Sequence, residues 1–142
     1  MMEKKARAIV LLGEGYTCAL VGEERTLCST KRGVAPLLSW LEAGENCEET
    51  FAADKVVGRA AAFLYVLLGV KEVYALMISE GAEEVFLCFG VAYSFEERVP
   101  AIRNRTGDGF CPMEQAVLSI DEPNRAYEEI CRTLQVLKEK EK

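Results

Sequence analysis

The chain has 142 residues, half of them apolar, and a formal charge of −6. That length and apolar share predict one domain over 1–142 with a real core, and they exclude disorder. The acidic balance tells against binding nucleic acid or an anionic membrane non-specifically, because the summed field repels phosphate.

There is no histidine in the chain. Serine–histidine and cysteine–histidine nucleophile pairs, H-E-x-x-H zinc sites and imidazole acid–base work are therefore excluded. The six cysteines, at 18, 28, 47, 88, 111 and 131, include no C-x-x-C pair and read as reduced thiols. The basic start MMEKKARAIVLLGEGY carries too short an apolar run for a signal segment. The longest other run, Ala60–Val70, is far short of a membrane span. The expectation is a cytoplasmic protein with no cofactor and no metal.

Residues 2–13 fit an amphipathic helix with Ala6, Ile9, Val10 and Leu12 on its apolar side; a strand over 7–12 is the alternative. Tyr16–Val21 and Arg25–Thr30 flank Gly22–Glu24 as a β-hairpin, which would set Cys18 opposite Cys28. Val34–Ala43 reads as a short helix with Pro36 in its first turn, and Gly44–Thr50 as an acidic loop. Ala53–Gly69 reads as one helix, about 54–68, capped by Asp54 and stopped by Gly69. It is apolar on nearly every side, so it is predicted to be buried.

Val73–Ile78 is a continuous apolar run of the kind found in buried parallel strands. Ser79 caps a helix over Glu80–Phe89, and Gly90 closes it. Val91–Val99 alternates as a half-exposed strand, and Pro100–Phe110 is loop. Cys111–Ile120 opens a short helix at Pro112. A last helix over about 124–139 carries Ala126, Tyr127, Ile130, Leu134 and Leu137 on its apolar side, with a frayed tail over 138–142. Hairpin, helix, strand, helix, strand, helix is an α/β pattern. It predicts a mixed sheet of about four strands with helices on both faces and the 54–68 helix at the centre.

Three stretches, GVAPLL at 33–38, ADKVVGRAAA at 53–62 and NRTGDGFCPMEQAV at 104–117, resemble a small bacterial family of unknown function with a cytidine-deaminase-like fold. The resemblance spans essentially the whole chain and implies a three-layer α/β/α sandwich. Zinc-dependent deaminases carry a His/Cys-Ala-Glu motif at the start of the helix matching 54–68, and Pro-Cys-x-x-Cys at the start of the next. Here those starts read Ala-Asp-Lys and Ile-Ser-Glu-Gly-Ala. Zinc catalysis needs three protein ligands and a carboxylate to move protons. The fold is therefore carried over and the activity is not.

Two regions carry candidate ligand-binding residues. Asp54, Lys55, Gly58 and Arg59 place two cations near a positive helix end, where an anion is favoured. Like charges four apart on a helix repel by a few tenths of a kcal/mol, so an anionic ligand or an acid from elsewhere is wanted. Gly58 admits a close neighbour. Arg103, Asn104 and Arg105 could grip an anion, with Cys111 at a helix N-cap and Glu114 three residues on. The competing structural reading is an ordinary capped helix in each region. The leading expectation is a zinc-free, non-catalytic domain that binds a small anionic or nucleotide-like ligand. The alternatives are a metal-independent enzyme using Cys111 or Lys55, and a structural subunit acting as a homo-oligomer.

Overall fold

The computed structural model describes residues 3–103, 107, 109 and 111–140. In chain order the elements are α1 (Lys4–Gly13), β1 (Cys18–Val21), β2 (Thr26–Ser29), α2 (Ala35–Glu42), β3 (Phe51–Val57), α3 (Arg59–Leu68), β4 (Glu72–Ser79), α4 (Glu80–Phe89), β5 (Ala92–Val99), α5 (Pro112–Ala116) and α6 (Pro123–Lys140). The five strands form one mixed sheet in the order β2-β1-β3-β4-β5. β1 runs antiparallel to β2 and β3, whereas β3, β4 and β5 are parallel.

Local chemistry sets several boundaries. The Ser79 hydroxyl accepts a hydrogen bond from the Ala82 amide at 3.1 Å, capping α4. Gly90, at φ +73°, ends α4 in the left-handed conformation, and Gly69, at φ +82°, does the same for α3. Ala53 and Asp54 are neighbours on β3, so their side chains leave opposite faces of the sheet. Ala53 packs with Ala8, Leu12 and Val21 under α1, while Asp54 bonds Tyr65 of α3. Helices thus cover both faces. The larger core lies on the α3 side, where Phe63, Leu64, Tyr65, Phe86, Ala126 and Ile130 are fully buried.

The 54–68 helix is corrected. Phe51–Val57 is strand β3, paired on both sides, with Cys18 opposite Asp54 on β1 and Ala75 opposite it on β4. Those pairings are long-range, and they satisfy the backbone of a segment whose local sequence suits a helix equally well. Asp54 is therefore not a helix cap, since Gly58 holds the N-cap position of α3. Lys55 is on a strand, so it shares no helical face with Arg59. The additional strand makes five rather than about four.

Two smaller expectations also shift. α1 is a helix, but it buries Ala8 and Leu12 and leaves Ala6 and Val10 exposed. In the hairpin, Cys18 pairs with Ser29 and Ala19 with Cys28, so the two cysteines are not opposite, and both are free thiols. α5, Pro112–Ala116, makes the short helix of one or two turns expected after Pro112, and α6, Pro123–Lys140, matches the expected last helix to within a residue at each end.

Candidate functional site

The three parallel strands finish at one edge, β3 at Val57, β4 at Ser79 and β5 at Val99, and α3 and α4 begin there. In open α/β sheets, the carboxyl ends of parallel strands are where ligands sit, because the loops diverge and helix N-termini converge. A cleft of about 110 Å³ lies at this edge. Arg59, Ser79 and Gly81 line it from the helix starts, Pro100 and Ala101 from the end of β5. Glu114, Gln115 and Leu118 close it from α5 and the turn beyond.

Glu114 is the anchor. Its carboxylate accepts the Arg59 amide at 2.6 Å and the Ala60 amide at 2.9 Å, two of the orphan donors at the start of α3. The helix dipole favours a negative group there. Burial nevertheless lifts the Glu114 carboxyl above the ordinary glutamate range, and the two amides and the Arg59 charge only partly offset it. A Cβ at Gly58 would overlap the Glu114 carboxylate, so glycine is required by close approach and not by backbone angle. Gly58 is extended, at φ −100° and ψ −176°.

The Arg59 guanidinium is spent on the protein itself. Nε donates to the Val117 carbonyl at 3.1 Å. Nη2 donates to the Ile120 carbonyl at 2.5 Å and to the Asp121 carboxylate at 3.2 Å. Nη1 reaches Glu84 at 3.2 Å and the Gly81 carbonyl at 3.5 Å. The group also lies 5.1 Å from the centre of the Phe63 ring. Arg59 thus ties α5 and the following turn to α3 and α4.

Of the residues singled out in the sequence, the structure brings Gly58, Arg59 and Glu114 together at the cleft. Lys55 is exposed on β3 and does not line it. Arg103 follows β5 and makes interactions of its own. Asn104 and Arg105 lie outside the described residues. Cys111 occupies the N-cap position of α5, half-buried and outside the cleft lining, and its side chain makes no capping bond.

Asp54 stands apart in the core, within 7% of full burial. The Tyr65 hydroxyl donates to its Oδ2 at 2.6 Å, and Cys18 Sγ lies 3.1 Å from the same hydroxyl. Burial lifts the Asp54 carboxyl to about 7 and pushes the Cys18 thiol and Tyr65 phenol well above their usual ranges. Among the described residues, no group of three or more His, Cys, Asp or Glu side chains is placed to hold a metal ion. No helix among them is long and apolar enough to cross a membrane.

Residues 7–134 match the family TM1506, a domain of unknown function (DUF1893). The chain belongs to the DUF1893 family. It is also similar to a crystal structure of a DUF1893 family protein (TM1506) from Thermotoga maritima. That structure is 24% identical, with a TM-score of 0.80 over 95% of this chain and 91% of that one. At that identity the likeness establishes the shared fold. No curated protein matches the chain.

Of the eight residues that line the cleft in this DUF1893 chain, sequence reasoning named Arg59 and Glu114 as candidates and missed the other six. Ser79 was legible as a cap, but its place at the end of β4 depends on β4 lying between two parallel neighbours. Gly81 carried a signal, since a glycine in a first helical turn implies a close neighbour; a Cβ there would stand 3.3 Å from Arg59 Cβ. Pro100, Ala101, Gln115 and Leu118 carried none.

Proposed function

We propose that the chain is a cytidine-deaminase-like, three-layer domain whose cleft binds a small nucleobase-like ligand, with Glu114 as the recognising acceptor. The two helix starts corresponding to a deaminase's zinc motifs supply Gly58-Arg59-Ala60 and Ser79-Glu80-Gly81, with neither histidine nor cysteine among them. Binding, not zinc-dependent deamination, is the reading those residues support.

One observation carries the ligand class: a desolvated carboxylate, fixed by two backbone amides, lines a cleft whose other walls are largely apolar. Each carboxylate oxygen keeps acceptor capacity beyond its one amide. A planar heterocycle that presents an N–H edge satisfies that capacity and buries its faces against Pro100, Ala101 and Leu118. An anion entering the cleft meets the charge of Glu114, and Arg59 is committed to protein partners. The negative group expected near Arg59 is thus supplied by the chain itself.

The test is calorimetric titration of the full chain with free nucleobases and nucleosides, beside inorganic phosphate. Saturable binding of a base is expected. Leu118→Asp, at a position 74% exposed and so tolerant of change, should weaken it about tenfold, or ~1.4 kcal/mol. Heat with phosphate and none with any base would overturn the proposal in favour of an anion site. No heat with any of them would overturn ligand binding at this cleft.

A further inference from the structure

Two helix N-termini meet at the cleft, and they are filled differently. At the start of α3 the Arg59 and Ala60 amides are both taken by Glu114. At the start of α4 the chain supplies less. The first amides of a helix have no carbonyl one turn back to bond. Ser79 Oγ accepts that of Ala82 at 3.1 Å. Among the described residues nothing accepts that of Gly81, which lines the cleft.

Ser79 adds a second donor. Its side chain lines the same cleft and the residue is only 2% exposed. A hydroxyl has a proton to donate as well as lone pairs to accept with. The Ser79 oxygen accepts from Ala82, while its proton has no acceptor among the described residues. Glu114 does not take it: the carboxylate is bonded to the Arg59 and Ala60 amides, and no hydrogen bond joins the two side chains. A buried donor left without an acceptor is costly, so an acceptor from outside the chain is favoured at this place. The cleft thus carries donors on the α4 side and an acceptor on the α5 side.

We infer that the cleft takes a single ring with a lactam edge, a carbonyl beside an N–H, as in a uracil-type pyrimidine. The inference rests on the nucleobase reading and narrows it. The ring N–H donates to Glu114. The ring carbonyl accepts from the Ser79 hydroxyl and the Gly81 amide, at a helix start where its partial negative charge is favoured. A carbonyl oxygen has two lone pairs and satisfies both donors. A ring nitrogen has one, so the amino–imine edge of cytosine or adenine fills only one of them. Size points to one ring: a cavity of ~150 Å³ holds benzene, and this cleft measures about 110 Å³.

Calorimetric titration of the full chain with 1-methylated pyrimidines tests this, because the methyl group removes an N–H that free uracil and free cytosine share. 1-Methyluracil should bind, and 1-methylcytosine should bind about tenfold more weakly. Ser79→Ala should weaken 1-methyluracil about tenfold and leave 1-methylcytosine little changed, so the preference narrows. Ser79→Thr keeps the hydroxyl and should keep the preference. The comparison of the two ligands on the wild-type chain decides the case even if the alanine variant loses its helix cap. Equal affinity for the two, or tighter binding of 1-methylcytosine, overturns the lactam edge and leaves nucleobase binding standing. So does a Ser79→Ala chain that folds and binds 1-methyluracil as the wild type does. Heat with purines and with neither pyrimidine overturns the single ring. No heat with any base removes the nucleobase reading itself, and this inference with it.

Discussion

Two buried carboxylates flank α3, and their surroundings differ. Glu114 meets the start of the helix, where two backbone amides point at it from 2.6 and 2.9 Å. Asp54 sits behind the middle of the same helix, with one phenol donor at 2.6 Å and one strand amide at 3.4 Å. Burial raises both carboxyls. Only Glu114 also has a helix terminus and a neighbouring guanidinium favouring its charge. The lesson is that burial alone does not assign a role: Glu114 is held as an ion that organises a cleft, while Asp54 is held where ionisation is costly.

The largest effect should therefore come from pH acting on Asp54. Its folded value of about 7 stands above the ordinary 3.8, so the folded state binds the proton more tightly than the unfolded chain does. The stability this gives is fully present below about pH 4 and is lost as pH rises through 7. The gap between 3.8 and about 7 corresponds to roughly 4 kcal/mol as an upper figure. Asp54→Asn keeps an acceptor for the Tyr65 hydroxyl and cannot ionise. Urea unfolding at a series of pH values should show the variant gaining on the wild type between pH 4 and 7 and level beyond. Parallel curves across that range would mean that Asp54 titrates normally.

Next in size is loss of the Glu114 carboxylate. Glu114→Ala leaves the Arg59 and Ala60 amides without an acceptor, at about 2–3 kcal/mol once water enters from the cleft. Glu114→Gln tests the acid itself, because a glutamine offers one acceptor and turns an N–H₂ donor towards the other amide. It should cost nearly as much as the alanine change. A glutamine variant as stable as the wild type would show that one hydrogen bond suffices and that the ionised group contributes little.

The contrast between the two acids also marks what the sequence could reveal. α4 was legible from end to end, because Ser79 and Gly90 act on their own helix through local bonds. The apolar run of β4 and the polar–apolar alternation of β5 were legible as patterns of side chains, although the pairings that hold both strands are long-range. The join of β3 and α3 was not. Asp54 followed by two charged-face candidates looks like a capped helix start, and only pairing with β1 and β4 makes it strand. Gly58, Arg59 and Glu114 were each recognisable as candidates. That Glu114 grips the amides at 59 and 60 was not, since the partners are 55 and 54 residues apart and meet only in the folded chain. Tyr65 read as a core aromatic, and its hydroxyl contact to Asp54 likewise depends on β3 being a strand.

The smallest effect isolates the Glu114 arrangement from the fold around it. At Gly58 the backbone is extended and open to any residue, so an alanine there incurs no conformational strain. It should even stabilise slightly by restricting the unfolded chain, by about 0.4–1 kcal/mol. Its Cβ, however, overlaps the Glu114 carboxylate, which cannot move without releasing the two amides. In the wild type the balance should be a loss of about 1 kcal/mol. With Glu114→Ala already in place the clash is gone, and the same Gly58→Ala change should become neutral or stabilising. A double-mutant cycle by urea unfolding reads the coupling directly. If the two changes simply add, the carboxylate does not rest against Gly58. The Asp54 and Glu114 sites would then differ only in which donors happen to be near, and not in how tightly the fold holds the acid.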